Sequence, residues 1–302
     1  MTTTNPYPYP YPYRNPALVV VAHGSRDPRA LATVTALLDE IRALRPGLDV
    51  RLGHMDLNEP RLDETLRALP IAGRGGVGLG GVGRGAVGWD AAWPGAAGAG
   101  GDVPGGDVPG ADGSGAGGVL VPLLLSRGHH VRHDIPAAAA AAARPGCPLR
   151  VAAPLGPHPL LTEALCARLT EAGWPVGAGA GHGVVLAAAG SRDPAAAVDT
   201  RRAAALLARR LGVPVVPAYA APTEHTPTTV PAALRALAAR GVRHTAVAAY
   251  FTAPGRFATQ AADAAPGRAA APLGAHPAVA ALLLHRYDQA RATAARGRAL
   301  SV

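Results

Sequence analysis

The sequence contains no lysine: all 29 of its basic residues are arginine, and with 20 acidic residues they give a formal net charge of +9. The arginines are dispersed, without a basic block or interleaved aromatic residues, and aromatic residues make up only 4% of the chain. This pattern is not typical of a nucleic-acid-binding surface, and we expect no nucleic-acid partner. Dispersed arginines suit an anionic small substrate equally well.

Cysteine and long apolar segments are also scarce. Cys147 and Cys166 have no CxxC spacing, and we interpret them as buried thiols in a reducing cytosol. The N-terminal MTTTNPYPYPYPYRNP lacks the apolar region of a signal peptide, and no apolar segment is long enough to cross a bilayer. We therefore expect a cytoplasmic protein with no membrane partner, whose residues 1–16 form a disordered, extended tail.

Two phrases occur twice in the same order, which indicates a duplication. GSRDP occurs at 24–28 and 190–194, 166 residues apart, whereas PLGxHP occurs at 154–159 and 272–277, only 118 residues apart. The first half therefore carries 48 additional residues between the two phrases.

A glycine-rich segment of that length, 71–118, accounts for the difference. It contains too little apolar surface to offset the entropy of ordering its backbone, so we predict a disordered surface insertion. Within it, Gly76, Gly78 and Gly81 match G-x-G-x-x-G, but they neither leave a strand nor open a helix. A dinucleotide site is excluded on that ground.

Strand and helix patterns alternate in both halves. We predict strands at 18–22, 49–55, 119–125, 149–155, 184–189, 213–220, 244–251 and 269–273. We predict helices from Pro28 onward and at 60–69, 136–143, 159–173, 194–211, 230–240 and 276–290. Such alternation predicts an α/β fold of two tandem, similar, doubly wound parallel-sheet domains of flavodoxin-like type. Their predicted ranges are 17–173 and 184–291, with a linker at 173–183 and a tail at 292–302.

Histidines follow two strands of the first predicted sheet. His23 comes directly after the first strand, and His129, His130 and His133 lie in the loop after the third. Because ligands bind beyond the carboxyl ends of parallel strands, we expect these side chains to face one cleft, together with Asp56, Asn58 and Glu59 from the loop after the second strand. Facing imidazoles bind Fe²⁺, Co²⁺ or Ni²⁺ and accept protons near neutral pH. Two or three neutral nitrogens hold a metal loosely, which suits delivery.

Other recurring residues are interpreted as structural. Ser25, Arg26 and Asp27 belong mainly to a turn and helix cap, because the second half keeps GSRDP while Ala189 replaces His23. His158 and His276 recur beside turns at predicted helix starts, and we expect a structural role for both.

Four phrases together resemble the sirohydrochlorin chelatase family, the cobalt- or iron-inserting class II chelatases of cobalamin and sirohaem synthesis. They are AHGSRDP, GHMDLNEP, PLLLSRGHHVRHDIP and PLGPHPLL, and the resemblance to the duplicated form extends from Pro16 to Ala290 without the insertion. It implies insertion of a divalent metal into sirohydrochlorin, a polycarboxylate tetrapyrrole, without ATP and with no cofactor beyond the metal that is the substrate.

The resemblance also implies residue roles. His23 and His130, the latter in G-x-H-x-x-x-D-I-P, match the histidines of the family, whereas His129 stands where an aromatic residue such as Tyr is expected. We expect His23 and His130 to hold the metal and one of them to accept a pyrrole proton, assisted by Glu59. Substrate contacts are expected from the side chains Arg26, Arg127, His129 and Arg132.

The second half lacks both histidines. Aligning TAPGRF with the histidine loop places Gly255 against Gly128 and Phe257 against His130. Joint loss is expected of residues that work as a pair, so we predict one active site, in the first half, with the second half closing the cleft.

Three other functions remain open on the sequence. A non-catalytic metal or tetrapyrrole carrier would use the same histidines, and an interaction module would use the duplicated fold alone. A histidine phosphatase is disfavoured because Ala22 stands where an R-H-G motif has its phosphate-binding arginine.

Overall fold

The computed structural model describes residues 15–71 and 117–299. Most of the predicted N-terminal tail, the glycine-rich insertion at 72–116 and the last three residues lie outside the described residues. Among the described helices, none is long and apolar enough to span a membrane. Cys147 is buried and Cys166 half-buried, and both thiols are free.

Each half alternates strands and helices, as predicted. The first half contains β1 (Ala17–Ala22), α1 (Pro28–Leu44), β2 (Val50–His54), α2 (Leu62–Arg67), β3 (Gly118–Pro122), a π-helical turn (His130–Asp134) continued by α3 (Ile135–Ala141), β4 (Leu149–Val151) and α4 (Pro159–Glu171). The second half contains β5 (His182–Ala188), α5 (Pro194–Leu211), β6 (Val215–Tyr219), α6 (Val230–Ala239), β7 (His244–Ala249), α7 (Arg256–Asp263) and α8 (Pro277–Ala299).

The repeated phrases begin helices. The carboxylate of Asp27 accepts a hydrogen bond from the backbone N–H of Arg29 at 3.0 Å, and Asp193 accepts one from Ala195 at 2.8 Å. The proline that follows each aspartate has no N–H to leave unsatisfied in the first turn. The cap role predicted for GSRDP is therefore confirmed.

The two recurring histidines also cap helices. Nδ1 of His158 accepts the N–H of Leu160 at 3.2 Å, and Nδ1 of His276 accepts that of Ala278 at 3.1 Å. Both bonds satisfy a donor that the first turn of a helix leaves free. The structural role expected for these residues is confirmed.

Both sheets are parallel. The first has the order β2-β1-β3-β4 and the second β6-β5-β7. Side chains alternate across β1, so that Leu18 and Val20 pack on one face and Val19 and Val21 on the other. Helices therefore cover both faces, and the predicted fold class is confirmed.

The second half departs from the prediction at three places. Helix α8 continues to Ala299, through most of the segment 292–302 that we predicted to be a tail. The strand predicted at 269–273 is wrong: its only ladder contact is a single bridge between Val247 and Ala269. Gly267, with φ of 70°, turns the backbone away immediately before that bridge, and Pro272 offers no N–H to a ladder. In addition, α7 was not predicted, because it begins directly after Pro254 and Gly255 in a segment with turn composition.

The last helix of each half packs on the other half. Helix α8 lies against α1 and β3, whereas α4 lies against α5 and β7. One hydrophobic core consequently contains the inner faces of both sheets. Arg168 on α4 donates to the carbonyl of Leu273 at 3.0 Å, and Arg286 on α8 donates to that of Leu155 at 3.2 Å. The two halves are therefore joined by reciprocal helix exchange.

Candidate metal and tetrapyrrole cleft

The carboxyl ends of the strands in both halves face a common cleft. Its volume is about 900 Å³, and it is lined by the loops that follow β1 and β3 and by their counterparts after β5 and β7. The position agrees with the rule that parallel sheets bind ligands beyond their strand ends. Both halves of the duplicated chain thus contribute walls to a single site.

His23 and His130 meet at the rim of this cleft. Their ring centroids are 4.8 Å apart with an interplanar angle of 72°, and both residues line the cleft. The backbone carbonyl of His23 accepts the N–H of Asp56 at 2.9 Å, which ties the loop after β1 to the loop after β2. The structure therefore brings together two imidazoles from loops more than a hundred residues apart in the sequence.

A carboxylate holds one of these imidazoles. Nδ1 of His130 lies 2.6 Å from Oδ2 of Asp134, across the π-helical turn. A carboxylate only accepts hydrogen bonds, so in the neutral ring Nδ1 carries the hydrogen and Nε2 keeps its lone pair. Such a carboxylate–imidazole arrangement is typical of histidines that ligate metals. Among the residues that the structure describes, no group of three or more His, Cys, Asp or Glu side chains is placed to hold a metal ion.

His129 is the neighbouring imidazole. It lines the cleft with a side chain that is 74% exposed, and its Nε2 lies 3.6 Å from Oδ1 of Asp134. Its ring stacks obliquely on that of His133, with centroids 4.8 Å apart. His54, buried beneath the site, also lines the cleft. Burial lowers the pKa of His54, despite a 3.3 Å contact between its Nδ1 and the carbonyl of Pro60.

Of the three arginines expected to bind substrate, only Arg26 lines the cleft. The guanidinium of Arg127 forms an ion pair with Asp199, with Nη2 and Oδ1 2.7 Å apart. Nε of Arg132 lies 3.4 Å from Oδ2 of Asp193. Arg127 and Arg132 do not line the cleft, so we leave both out of the proposed substrate contacts.

Glu59 also lies away from the cleft lining. It is exposed, and its Oε2 accepts the N–H of Arg61 at 3.0 Å. In its place the loop after β2 presents Asn58, whose Oδ1 accepts the N–H of Ser25 at 2.6 Å. Asn58 therefore orders the turn that follows His23.

The second half supplies two exposed arginines that the sequence did not single out. Arg192 and Arg256 line the cleft opposite Arg26. The repeat offered a signal for Arg192, because it stands in the second GSRDP where Arg26 stands in the first. The repeat offered the same kind of signal for Arg256, because the alignment of TAPGRF with the histidine loop places it against His129.

Reciprocal contacts relate the two sides of the cleft. A Cβ added to Gly128 would lie 4.0 Å from Oγ of Ser191, and one added to Gly255 would lie 3.5 Å from Oγ of Ser25. This symmetry supports the alignment of Gly255 with Gly128. Ala189 and Phe257 then stand where the first half has His23 and His130, and both line the cleft.

The sequence profile of the CbiX family matches residues 17–76, 115–172 and 183–290. The chain belongs to the CbiX family. The match covers both halves and leaves out most of the glycine-rich insertion. The resemblance to sirohydrochlorin chelatases is thereby confirmed, although a comparison with curated protein sequences gave no significant match.

Solved structures of CbiX-type proteins share the fold. SirB from Bacillus subtilis with Fe³⁺ is similar at a TM-score of 0.63 and 20% identity, over 91% of this chain and 95% of that one. SirB from the subspecies spizizenii, a sirohydrochlorin chelatase in complex with cobalt, gives 0.61 and 20% over the same shares. CbiX, described as the terminal enzyme for biosynthesis of sirohaem in denitrifying bacteria, gives 0.55 and 19%, over 91% of this chain and 99% of that one.

Proposed function

We propose that this chain inserts a divalent metal, Co²⁺ or Fe²⁺, into sirohydrochlorin without ATP, in cobalamin or sirohaem synthesis. One observation carries the proposal: in a CbiX-family chain, His23 and His130 meet with ring centroids 4.8 Å apart at the rim of the interlobe cleft. The SirB structures with Fe³⁺ and with cobalt support it. A cytoplasmic location stays a prediction.

The charge of the cleft suits a polycarboxylate. Arg26, Arg192 and Arg256 line it, while its aspartates are engaged: Asp27 pairs with Arg29 at 2.7 Å and Asp193 lies 3.4 Å from Arg132. Arginine binds carboxylates through charge-assisted hydrogen bonds. The side chains around the cleft therefore favour an anionic ligand.

The chemistry requires a metal ligand and a proton acceptor on the same face of the macrocycle. Insertion exchanges one divalent cation for the two protons of the pyrrole N–H groups. In the neutral ring the Nδ1 contact with Asp134 places the hydrogen on Nδ1, so Nε2 of His130 is one nitrogen able to bind the incoming ion. His23 supplies the second imidazole, which either shares the ion or accepts the first proton as the metal displaces it. The second proton passes to water.

A two-nitrogen set also suits turnover. Imidazole is a good ligand for Fe²⁺ and Co²⁺, but two ligands leave most of the coordination sphere to water and to the pyrrole nitrogens. The ion can therefore leave the protein for the macrocycle, which offers four nitrogens. A carrier would use the same imidazoles but release its substrate unmetallated, so turnover beyond one equivalent distinguishes the two.

An anaerobic absorbance time course tests the proposal. Sirohydrochlorin is mixed with Co²⁺, Fe²⁺ or Ni²⁺ and the wild-type chain, His23→Ala, His130→Ala or, as the matched control, His133→Ala. We expect multiple turnovers by the wild type and the control and near-background rates in the first two variants. A spectral change limited to one equivalent indicates a carrier, and unchanged rates in both variants contradict the assignment of the pair.

A further inference from the structure

An ion pair joins the histidine loop to the half that has no histidines. Asp199 lies on α5, with a side chain only 2% exposed. Its Oδ1 accepts a hydrogen bond from Nη2 of Arg127 at 2.7 Å. Its Oδ2 accepts one from Nε at 3.0 Å and another from the backbone N–H of the same residue at 2.9 Å. Arg127 precedes His130 by three residues. Asp199 thus fixes the backbone, as well as the side chain, at the start of the loop.

A second contact fixes the same loop two residues earlier. The hydroxyl of Tyr250, buried beyond the end of β7, donates to the carbonyl of Leu125 at 3.2 Å. Leu125 and Arg127 are therefore both bonded to residues of the second half. A loop held at two nearby points by buried groups has little freedom to shift.

His23 is held differently. Its loop is bonded within the first half, through the carbonyl of His23 to Asp56 and through Ser25 to Asn58. These bonds that fix the loop of His23 thus come from the first half, whereas Asp199 and Tyr250 fix the loop of His130 from the second. The fit between the halves therefore contributes to the separation of the two rings.

The ion pair between Arg127 and Asp199 has no counterpart on the other side of the pseudo-symmetric cleft, as the aligned residues show. Thr33 stands in the first half where the second half has Asp199, and Pro254 aligns with Arg127. The second half, which lacks the histidine pair, thus supplies the carboxylate that bonds Arg127 in the loop of His130. Thr33 and Pro254, which stand at the equivalent positions, cannot form such an ion pair.

We propose that Asp199 is a positioning residue for His130, acting through Arg127, with Tyr250 as a second support. The second half then completes the reactive pair rather than only closing the cleft. This inference rests on the proposed metal insertion, because positioning matters only if the two imidazoles work together. Small displacements of reacting groups reduce turnover strongly.

Asp199→Asn tests the inference against a matched control, Asp288→Asn. Asp288 also forms a bidentate ion pair with an arginine of the other half, because Arg45 donates to its two carboxylate oxygens at 2.7 and 2.6 Å. This ion pair joins the end of α1 to α8, away from the histidine loop. We expect Asp199→Asn to reduce kcat for Co²⁺ insertion about tenfold or more, with KM for sirohydrochlorin within about twofold, since misplacement affects the reacting groups. Amide hydrogen exchange should accelerate in residues 125–131. Asp288→Asn should leave both measurements near wild type.

A wild-type kcat and wild-type exchange in Asp199→Asn would overturn the inference, as would an equal loss in Asp288→Asn. Should Asp199→Asn fail to fold, Tyr250→Phe decides, because it removes only the hydroxyl. A lower kcat together with faster amide hydrogen exchange in the loop would support the inference. A wild-type kcat together with wild-type exchange would refute it. If the wild-type chain metallates nothing, the proposed function fails. In that case, amide hydrogen exchange of residues 125–131 in the same variants shows by itself whether Asp199 holds the loop.

Discussion

Nδ1 of His130 lies 2.6 Å from Oδ2 of Asp134, so the imidazole that faces the cleft is oriented by a carboxylate one turn further along the chain. Both residues belong to the π-helical turn, which begins at His130 and ends at Asp134. Irregular helical turns of this kind are frequent at functional sites. Asp134 is therefore expected to act through His130 without itself binding metal.

Asp134→Asn should reduce metal insertion about 10- to 100-fold, the usual range for losing a carboxylate behind a ligating histidine. An amide can present its NH₂ group to Nδ1 and so favour the wrong tautomer, with the hydrogen on Nε2. Initial rates and the Co²⁺ affinity of the chain without tetrapyrrole would measure the effect. Asp63→Asn is the matched control, because Asp63 forms an exposed ion pair with Arg67 on α2. Equal activity of both variants would contradict this role.

The arginines of the second half predict a binding effect distinct from a catalytic one. Arg192 and Arg256 line the cleft from the second half, whereas both imidazoles belong to the first, so their loss should weaken substrate carboxylate contacts that are equally strong before and during the reaction. We expect Arg192→Gln and Arg256→Gln each to raise KM for sirohydrochlorin about tenfold, with kcat little changed. This corresponds to a loss of ~1–2 kcal/mol in the free energy of substrate binding. Steady-state kinetics at low and high salt would measure this.

Arg240→Gln provides the comparison, since Arg240 is exposed at the end of α6, outside the cleft. It changes the net charge of the chain by the same amount. A similar rise in KM for Arg240→Gln would assign the effect to general charge and not to the cleft.

Much of the site could be predicted because it follows from local rules. Strand-end placement brought His23 and His130 together, and the repeat identified Ala189 as the lost counterpart. The partners of the arginines could not be predicted in this way. Arg127 and Asp199 are 72 residues apart in the sequence and belong to different halves. No periodicity within either segment encodes their contact.

The fold shows the same division. Strands and helices of the first half follow from apolar spacing and from caps such as Asp27, and the helix starts agree closely. The exchange of α4 and α8 has no local signature, because an apolar helix face packs equally well on either of two similar sheets. Only the tertiary arrangement decides which sheet each helix covers.

Stability should fall in mild acid because of His158. Burial, the nearby guanidinium of Arg286 and the neighbouring His285 together lower its pKa from 6.5 to about 4. The unfolded chain therefore binds a proton at this residue more readily than the folded chain does. The contribution of neutral His158 to the free energy of unfolding is fully present above pH ~6.5 and is lost as the pH falls towards 4. After allowance for the partial exposure of the ring, we expect a loss of ~1 kcal/mol at pH 5 from this residue.

His158→Asn isolates that contribution. Asparagine does not titrate and is a favoured helix cap, so its side-chain oxygen can accept the N–H of Leu160 in place of Nδ1 of His158. Urea unfolding at pH 7 and pH 5 should show a smaller difference in unfolding free energy for the variant than for the wild type. Identical differences would mean that His158 is not responsible.

The exchanged helices make the halves mutually dependent. Helix α8 covers the inner face of the first sheet, where Leu18, Val20 and Val121 are fully buried, and α4 does the same for the second sheet. A fragment that ends at the exposed Val176 would lack α8 and leave those strands open to water. Exposed apolar surfaces of this kind cause aggregation or unfolding.

Division of the chain between Val176 and Gly177 should therefore give two fragments of which neither is a stable monomer. Mixed after denaturation, they should assemble one to one, because Arg168 and Arg286 regain the carbonyls of Leu273 and Leu155 together with the shared core. Size-exclusion chromatography and circular dichroism during thermal unfolding would follow both states. The intact chain cut at the same peptide after folding serves as the control and should keep its structure. Cooperative unfolding of either fragment as a monomer would show that its sheet does not require the helix of the other half.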